Sequence, residues 1–143
     1  MFKRIMIAYD GSKEAGKALA CAISLARSLD AAVIIVTVLE ALPSYTVFIS
    51  VVSPNLPQQL KDEKQKQLLA LQKTALQIAI DHKVRATAVL VDGEEVAGIV
   101  EAAAQNHADL LVIGLRKHPA FAPFGTTARQ VARRSPCPLL AVN

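Results

Sequence analysis

Short apolar runs alternate with amphipathic stretches along the whole chain, and this restricts the fold more than any other feature of the sequence. Residues 5–9, 32–39, 85–91, 110–113 and 139–142 read as strands, because β-branched and aliphatic residues follow one another with little polar interruption. Between them, apolar residues recur at helical spacing. Ala15, Leu19, Ala22, Ile23 and Ala26 form one stripe, and Ser12 with Glu14 just inside supplies its start signal. Residues 58–82 form a long helix through Leu60, Leu68, Leu71, Ala75, Leu76 and Ala79, with a Lys/Gln-rich first half that projects into solvent. Val96, Ile99, Val100 and Ala103 mark a helix over 95–106, and residues 126–134 a last one. Residues 40–57, with Pro43, Pro54 and Pro57, read as a long loop folded against the body, and residues 114–124 as a second loop.

Strand and helix therefore alternate from one end to the other. That order implies an α/β fold: parallel strands joined by right-handed crossovers in a doubly wound sheet, as a single domain over residues 1–143. Composition agrees, since 52% of the 143 residues are hydrophobic and only 4% aromatic, so the core is aliphatic. In such sheets a ligand sits outside the carboxyl ends of the strands, where strand order reverses. This directs attention to Asp10-Gly11-Ser12, to Val38-Leu39-Glu40 and to residues 114–127.

Several function classes lose support. The longest apolar run, residues 31–39, is far short of the roughly 20 residues that span a bilayer. Lys3 and Arg4 are followed by no lasting apolar segment, so no export signal or membrane insertion is expected, and a cytoplasmic location is. Cys21 and Cys137 belong to no C-x-x-C pair and are expected to be reduced, buried thiols. His82, His107 and His118 have no neighbours at metal-ligand spacing, and no Ser–His–Asp order or close carboxylate pair supports conventional catalysis. The net charge is +4, and beyond Asp109 there is no acidic side chain while Arg116, Lys117, Arg129, Arg133 and Arg134 all occur. This basic end either attracts phosphate or complements a helix dipole; without aromatic platforms, nucleic acid is not the expected partner.

Residues 11–18, GSKEAGKA, approach a phosphate-binding G-x-x-x-x-G-K-[ST] loop, but Ala18 brings no hydroxyl for magnesium, and the segment shares its residues with a well-phased helix. A helix is the expectation there. The C-terminal third carries a more specific pattern. Residues 108–114, ADLLVIG, are followed by a loop, by Gly125-Thr126-Thr127 and by residues 135–142, SPCPLLAV; with I-x-I-A-Y-D-G-S at residues 5–12, these resemble the signature of the universal stress protein family over essentially the whole chain.

The resemblance implies a five-stranded parallel sheet in the order 3-2-1-4-5 and, in nucleotide-binding members, a G-x2-G-x9-G-[ST] loop. Gly114 matches its first glycine and Gly125-Thr126 its last pair, but Lys117 stands at the middle glycine, and ten residues rather than twelve separate Gly114 from Gly125. Either Arg116 and Lys117 offset the lost backbone donors, or the loop closes over the site and no nucleotide binds. By the same resemblance Asp10 lies near the adenine or ribose, Val38 and Ile113 flank the base, and Thr126 and Thr127 meet the phosphates. Asp10 and Thr126 can equally be helix caps, and Val38 and Ile113 ordinary core. The expected ligand is ATP or AMP, with magnesium in the case of ATP. The expected role is a non-catalytic stress-response regulator, with a nucleotide-independent homodimeric adaptor as the alternative and weak ATP hydrolysis the remote one. Pro136 and Pro138 place residues 139–142 at a sheet edge, and the family pattern makes that strand the contact of a homodimer.

Overall fold

The computed structural model describes residues 1–42, 46–116 and 126–143. Five parallel strands, β1 (Arg4–Ala8), β2 (Ala32–Leu39), β3 (Ala86–Asp92), β4 (Leu110–Gly114) and β5 (Leu139–Val142), lie in the order β3-β2-β1-β4-β5. The helices are α1 (Lys13–Leu29), α2 (Thr46–Val52), α3 (Leu56–Asp81), α4 (Glu95–Gln105) and α5 (Thr126–Arg134).

Side chains alternate between the two faces of each strand, so the apolar runs feed two cores. Ile5 and Ile7 of β1, Val33 and Ile35 of β2, and Leu110 and Val112 of β4 pack under α1 and α3. Met6, Ile34, Val36, Leu111 and Ile113 face the other way, under α4 and α5. Burial on both faces is why these strands read as unbroken apolar runs. Cys21 and Cys137 are free but half-buried rather than fully buried.

One element departs from expectation. Residues 40–57 are not all loop, since Thr46–Val52 is helical and α3 begins at Leu56, with Pro57 in its first turn. The sequence TVFISVV has no acidic first turn and no basic last turn, so nothing in it signals a helix boundary. Proline at the start of α3 is easily accommodated, because its missing N–H has no partner there anyway.

α3 also hides a polar core residue. Gln72 is buried, and its amide donates to the carbonyls of Val89 (2.8 Å) and Ile35 (3.4 Å), which docks the helix across β2 and β3. At the amino end of the sheet, the Asp109 carboxylate accepts the backbone N–H groups of Lys3 (2.8 Å) and Arg4 (3.0 Å). Asp109 thus satisfies two donors at the start of β1.

Candidate functional site

The chain builds β1, β2 and β3 to one side and then returns across β1 to add β4 and β5. The connections after β1 and β4 therefore diverge, and a crevice opens at the carboxyl ends of the strands. It encloses about 970 Å³ and is lined from β1, β2, β4, α1, α3, α4 and α5. Of the residues expected at the site, Asp10, Val38, Ile113, Gly114 and Thr127 converge on it. Lys117 and Gly125 lie outside the described residues, as does most of the 114–124 loop, and Thr126 is described as the first residue of α5.

Asp10 follows β1 and is not the cap of α1. Ser12 holds that position, its hydroxyl accepting the Ala15 N–H at 3.2 Å, while Asp10 Oδ1 accepts the Ser12 N–H at 2.9 Å. The turn between them places Gly11 at φ +80, and a β-carbon there would meet Leu71 Cδ2 of α3 at 2.9 Å. Glycine answers both the left-handed backbone and the close helix. Asp10 Oδ2 accepts from Arg116 Nη2 at 2.6 Å, joining the ends of β1 and β4. Partial burial pushes the Asp10 carboxyl up, but the Ser12 hydrogen bonds and the Arg116 charge outweigh it and hold its pKa below the usual range. Arg116 is thereby already engaged by a carboxylate, which takes much of its charge away from the role of offsetting lost backbone donors.

Val38 and Ile113 both line the cleft and both belong to the core under α4 and α5. The two readings are compatible: Val38 is partly exposed, whereas Ile113 is buried and borders the cleft from the core. Gly114 has a packing reason of its own. A β-carbon there would lie 2.6 Å from the backbone carbon and oxygen of Glu14, so only glycine lets the end of β4 pass the first turn of α1. Gly16 and Lys17 lie within α1, which sets aside the phosphate-loop reading of residues 11–18 in favour of the helix.

α5 opens at Thr126, so the two threonines start a helix, and Thr127 lines the cleft. The Thr127 hydroxyl lies 3.4 Å from Glu95 Oε2, and Glu95 is the first residue of α4, behind the N-cap Glu94. Burial, reinforced by the nearby Glu40 and Asp10 carboxylates, raises the pKa of Glu95 against the opposing pull of Arg116 and Thr127. Glu40 lies in a segment the sequence pointed to, but sequence reasoning missed Glu95 and the overhanging Leu60, Lys64 and Gln67 of α3. The solvent-exposed turns of α3 form one wall of the cleft. The spacing that marks a helix start gives no sign that its first carboxylate faces a cavity. Arg133 and Arg134, by contrast, are exposed in the last turn of α5, where they complement its dipole.

This geometry has close relatives. A universal stress protein of Thermus aquaticus, from the QAH/OAS sulfhydrylase 3' region, is 32% identical over 145 residues, with 100% of both chains covered. Among solved structures, the universal stress protein UspA from Lactobacillus plantarum superposes with a TM-score of 0.85 at 19% identity, over 99% of this chain and 98% of its own. The universal stress protein from Archaeoglobus fulgidus in complex with dAMP does so with a TM-score of 0.75 at 23% identity, over 99% and 98%. Those two likenesses show the shared fold. Residues 1–143 match the Universal stress protein family as a whole. With the expected strand order, the crevice at the strand ends and full-length matches in both sequence and fold, the chain belongs to the universal stress protein family.

Proposed function

We propose that the cleft binds an adenine nucleotide and that the protein acts through that binding as a non-catalytic stress-response regulator, a homodimer in the cytoplasm. The observation that carries the binding is the convergence of Asp10, Val38, Ile113 and Thr127, from four separate elements, on one cavity of about 970 Å³. That volume is of the size that holds a small-molecule ligand. Fold neighbours have been solved with dAMP, with cAMP and, in a protein from Arabidopsis thaliana, with AMP.

The chemistry of the cleft fits such a ligand. Val38 and Ile113 offer an apolar wall for the base. Each Asp10 oxygen uses one lone pair, on Ser12 or on Arg116, and keeps another for a ribose hydroxyl. α5 begins at Thr126 and brings Thr127 to the cleft, and the N-terminus of a helix favours a phosphate. Gly114 and Gly125 join the proposed site through the family pattern, and Lys117 joins it as the side chain that stands at the pattern's middle glycine. Among the described residues no three His, Cys, Asp or Glu side chains gather as a metal-ligand set. Any magnesium would therefore enter with the phosphates of ATP.

The dimer and the location rest on other features. Among the described residues β5 is an edge strand of the sheet, pairing with β4 alone, and it is apolar. Among the described residues no helix is long and apolar enough to cross a membrane, and two unpaired thiols suit a reducing compartment.

Titration calorimetry with AMP tests the binding. Saturable one-to-one binding is expected in the wild type. Asp10→Ala removes charge-assisted hydrogen bonds of about 1.5–3 kcal/mol, so its affinity should fall by roughly 10- to 100-fold. An unchanged affinity in a folded Asp10→Ala protein would remove Asp10 from the site.

A further inference from the structure

The described lining of the cleft carries more negative than positive charge, although the chain as a whole is basic. Asp10, Glu14, Glu40, Glu63 and Glu95 face Lys64 and Arg116, and Arg116 is tied to Asp10 at 2.6 Å. One carboxylate stands where it matters most for an anionic ligand. Glu95 is half-buried at the start of α4, with Oε2 3.4 Å from the hydroxyl of Thr127 in the first turn of α5. The first turn of α5 borders the cleft through Thr127 and Ala128, and a helix start favours an anion, so Glu95 sits beside the place where phosphate would be held.

We propose that Glu95 determines the phosphate count of the ligand, making the cleft selective for a nucleoside monophosphate over the triphosphate. The inference rests on the adenine-nucleotide reading of the cleft and deepens it. A fixed carboxylate repels a ligand in proportion to the ligand's charge, and a monophosphate carries about two negative charges against about four on a triphosphate. The repulsion is strong here because the carboxylate is partly withdrawn from water. Glu40 and Asp10 add negative charge near it, and burial with these two carboxylates raises the Glu95 pKa. Among the described residues Arg116 relieves it only in part, since that guanidinium is shared with Asp10. Glu95 would act on specificity by charge, without forming a bond to the nucleotide.

Glu95→Gln isolates this effect. Glutamine has nearly the same shape and can still accept the Thr127 hydroxyl, and removing a half-buried charge leaves the fold intact, as a melting curve would verify. Affinities for adenosine, AMP and ATP are measured by calorimetry with EDTA present, for the wild type and for Glu95→Gln. In the wild type, ATP is expected to bind at least about tenfold more weakly than AMP, and raising the salt concentration should narrow the gap. In Glu95→Gln the gap should shrink to about threefold or less, with adenosine unaffected and ATP gaining more than AMP. AMP binding with equal affinity for ATP in the wild type, or an ATP-to-AMP ratio that Glu95→Gln leaves in place, would overturn the selectivity while the nucleotide site stands. Failure of adenosine, AMP and ATP alike to bind the wild type would overturn the nucleotide site and the selectivity with it.

Discussion

Two carboxylates at the carboxyl end of the sheet have opposite electrostatic fates. Asp10 gains the Ser12 N–H and the Arg116 guanidinium, which together hold its pKa down despite partial burial. Glu95 is raised by burial and by the Glu40 and Asp10 carboxylates, and Arg116 and the Thr127 hydroxyl only partly offset this. The sign of the resulting linkage is definite. A carboxyl with a raised folded pKa contributes stability that is fully present below its ordinary range and lost as pH rises through the folded value. Glu95→Gln should therefore melt higher than the wild type near pH 7, and the difference should vanish on acidification below the ordinary glutamate range. A difference that persists unchanged at low pH would mean that packing, not charge, separates the two proteins. The sequence made Asp10 and Gly114 visible as site candidates but not their reasons. The partner of Asp10 is Arg116, 106 positions away, and the need for glycine at position 114 comes from the backbone of Glu14, exactly the kind of contact a linear pattern does not contain.

At the level of elements, four of the five helices and all five strands among the described residues are legible, because burial on both faces gives the strands unbroken apolar runs and single-face burial gives the helices their stripes. α2 is not, since seven residues of mostly apolar and β-branched character between prolines carry neither period nor caps. The first half of α3 was read correctly as exposed, yet its role as a cleft wall depends on the tertiary course of the helix. β5 is the element on which assembly turns. Pro138 and Val142 use their carbonyls on the N–H groups of Leu111 and Leu115, and backbone direction alternates along a strand, so Leu139 and Ala141 present their N–H and C=O groups to the open edge. Leu140 packs against the core beneath α1 and is a poor probe, whereas Ala141 is exposed. Ala141→Pro deletes an outward donor and leaves the ladder to β4 in place. If β5 pairs with a second copy, sedimentation should show the wild type as a dimer and Ala141→Pro shifted to monomer by tenfold or more in dissociation constant. A dimer indifferent to Ala141→Pro would place the interface elsewhere.

Over the whole molecule, the two ends of the sheet do different work. The amino end is closed by Asp109, which takes the Lys3 and Arg4 N–H groups, so the acidic residue of the ADLLVIG segment is structural. The carboxyl end is left open by the reversal of strand order, and there the net charge of +4 gives way to a lining rich in carboxylates. The basic residues of α5 stand outside that lining: Arg129 is exposed, and Arg133 and Arg134 lie in the last turn. The account's central claim is that this open end is a nucleotide site, and amide chemical-shift mapping during an AMP titration tests it most directly. Saturable shifts should cluster at residues 10–12, Val38, residues 113–114 and Thr127. No saturable shift, or shifts centred instead on the groove between α1 and α3 beside Arg27 and His82, would contradict it.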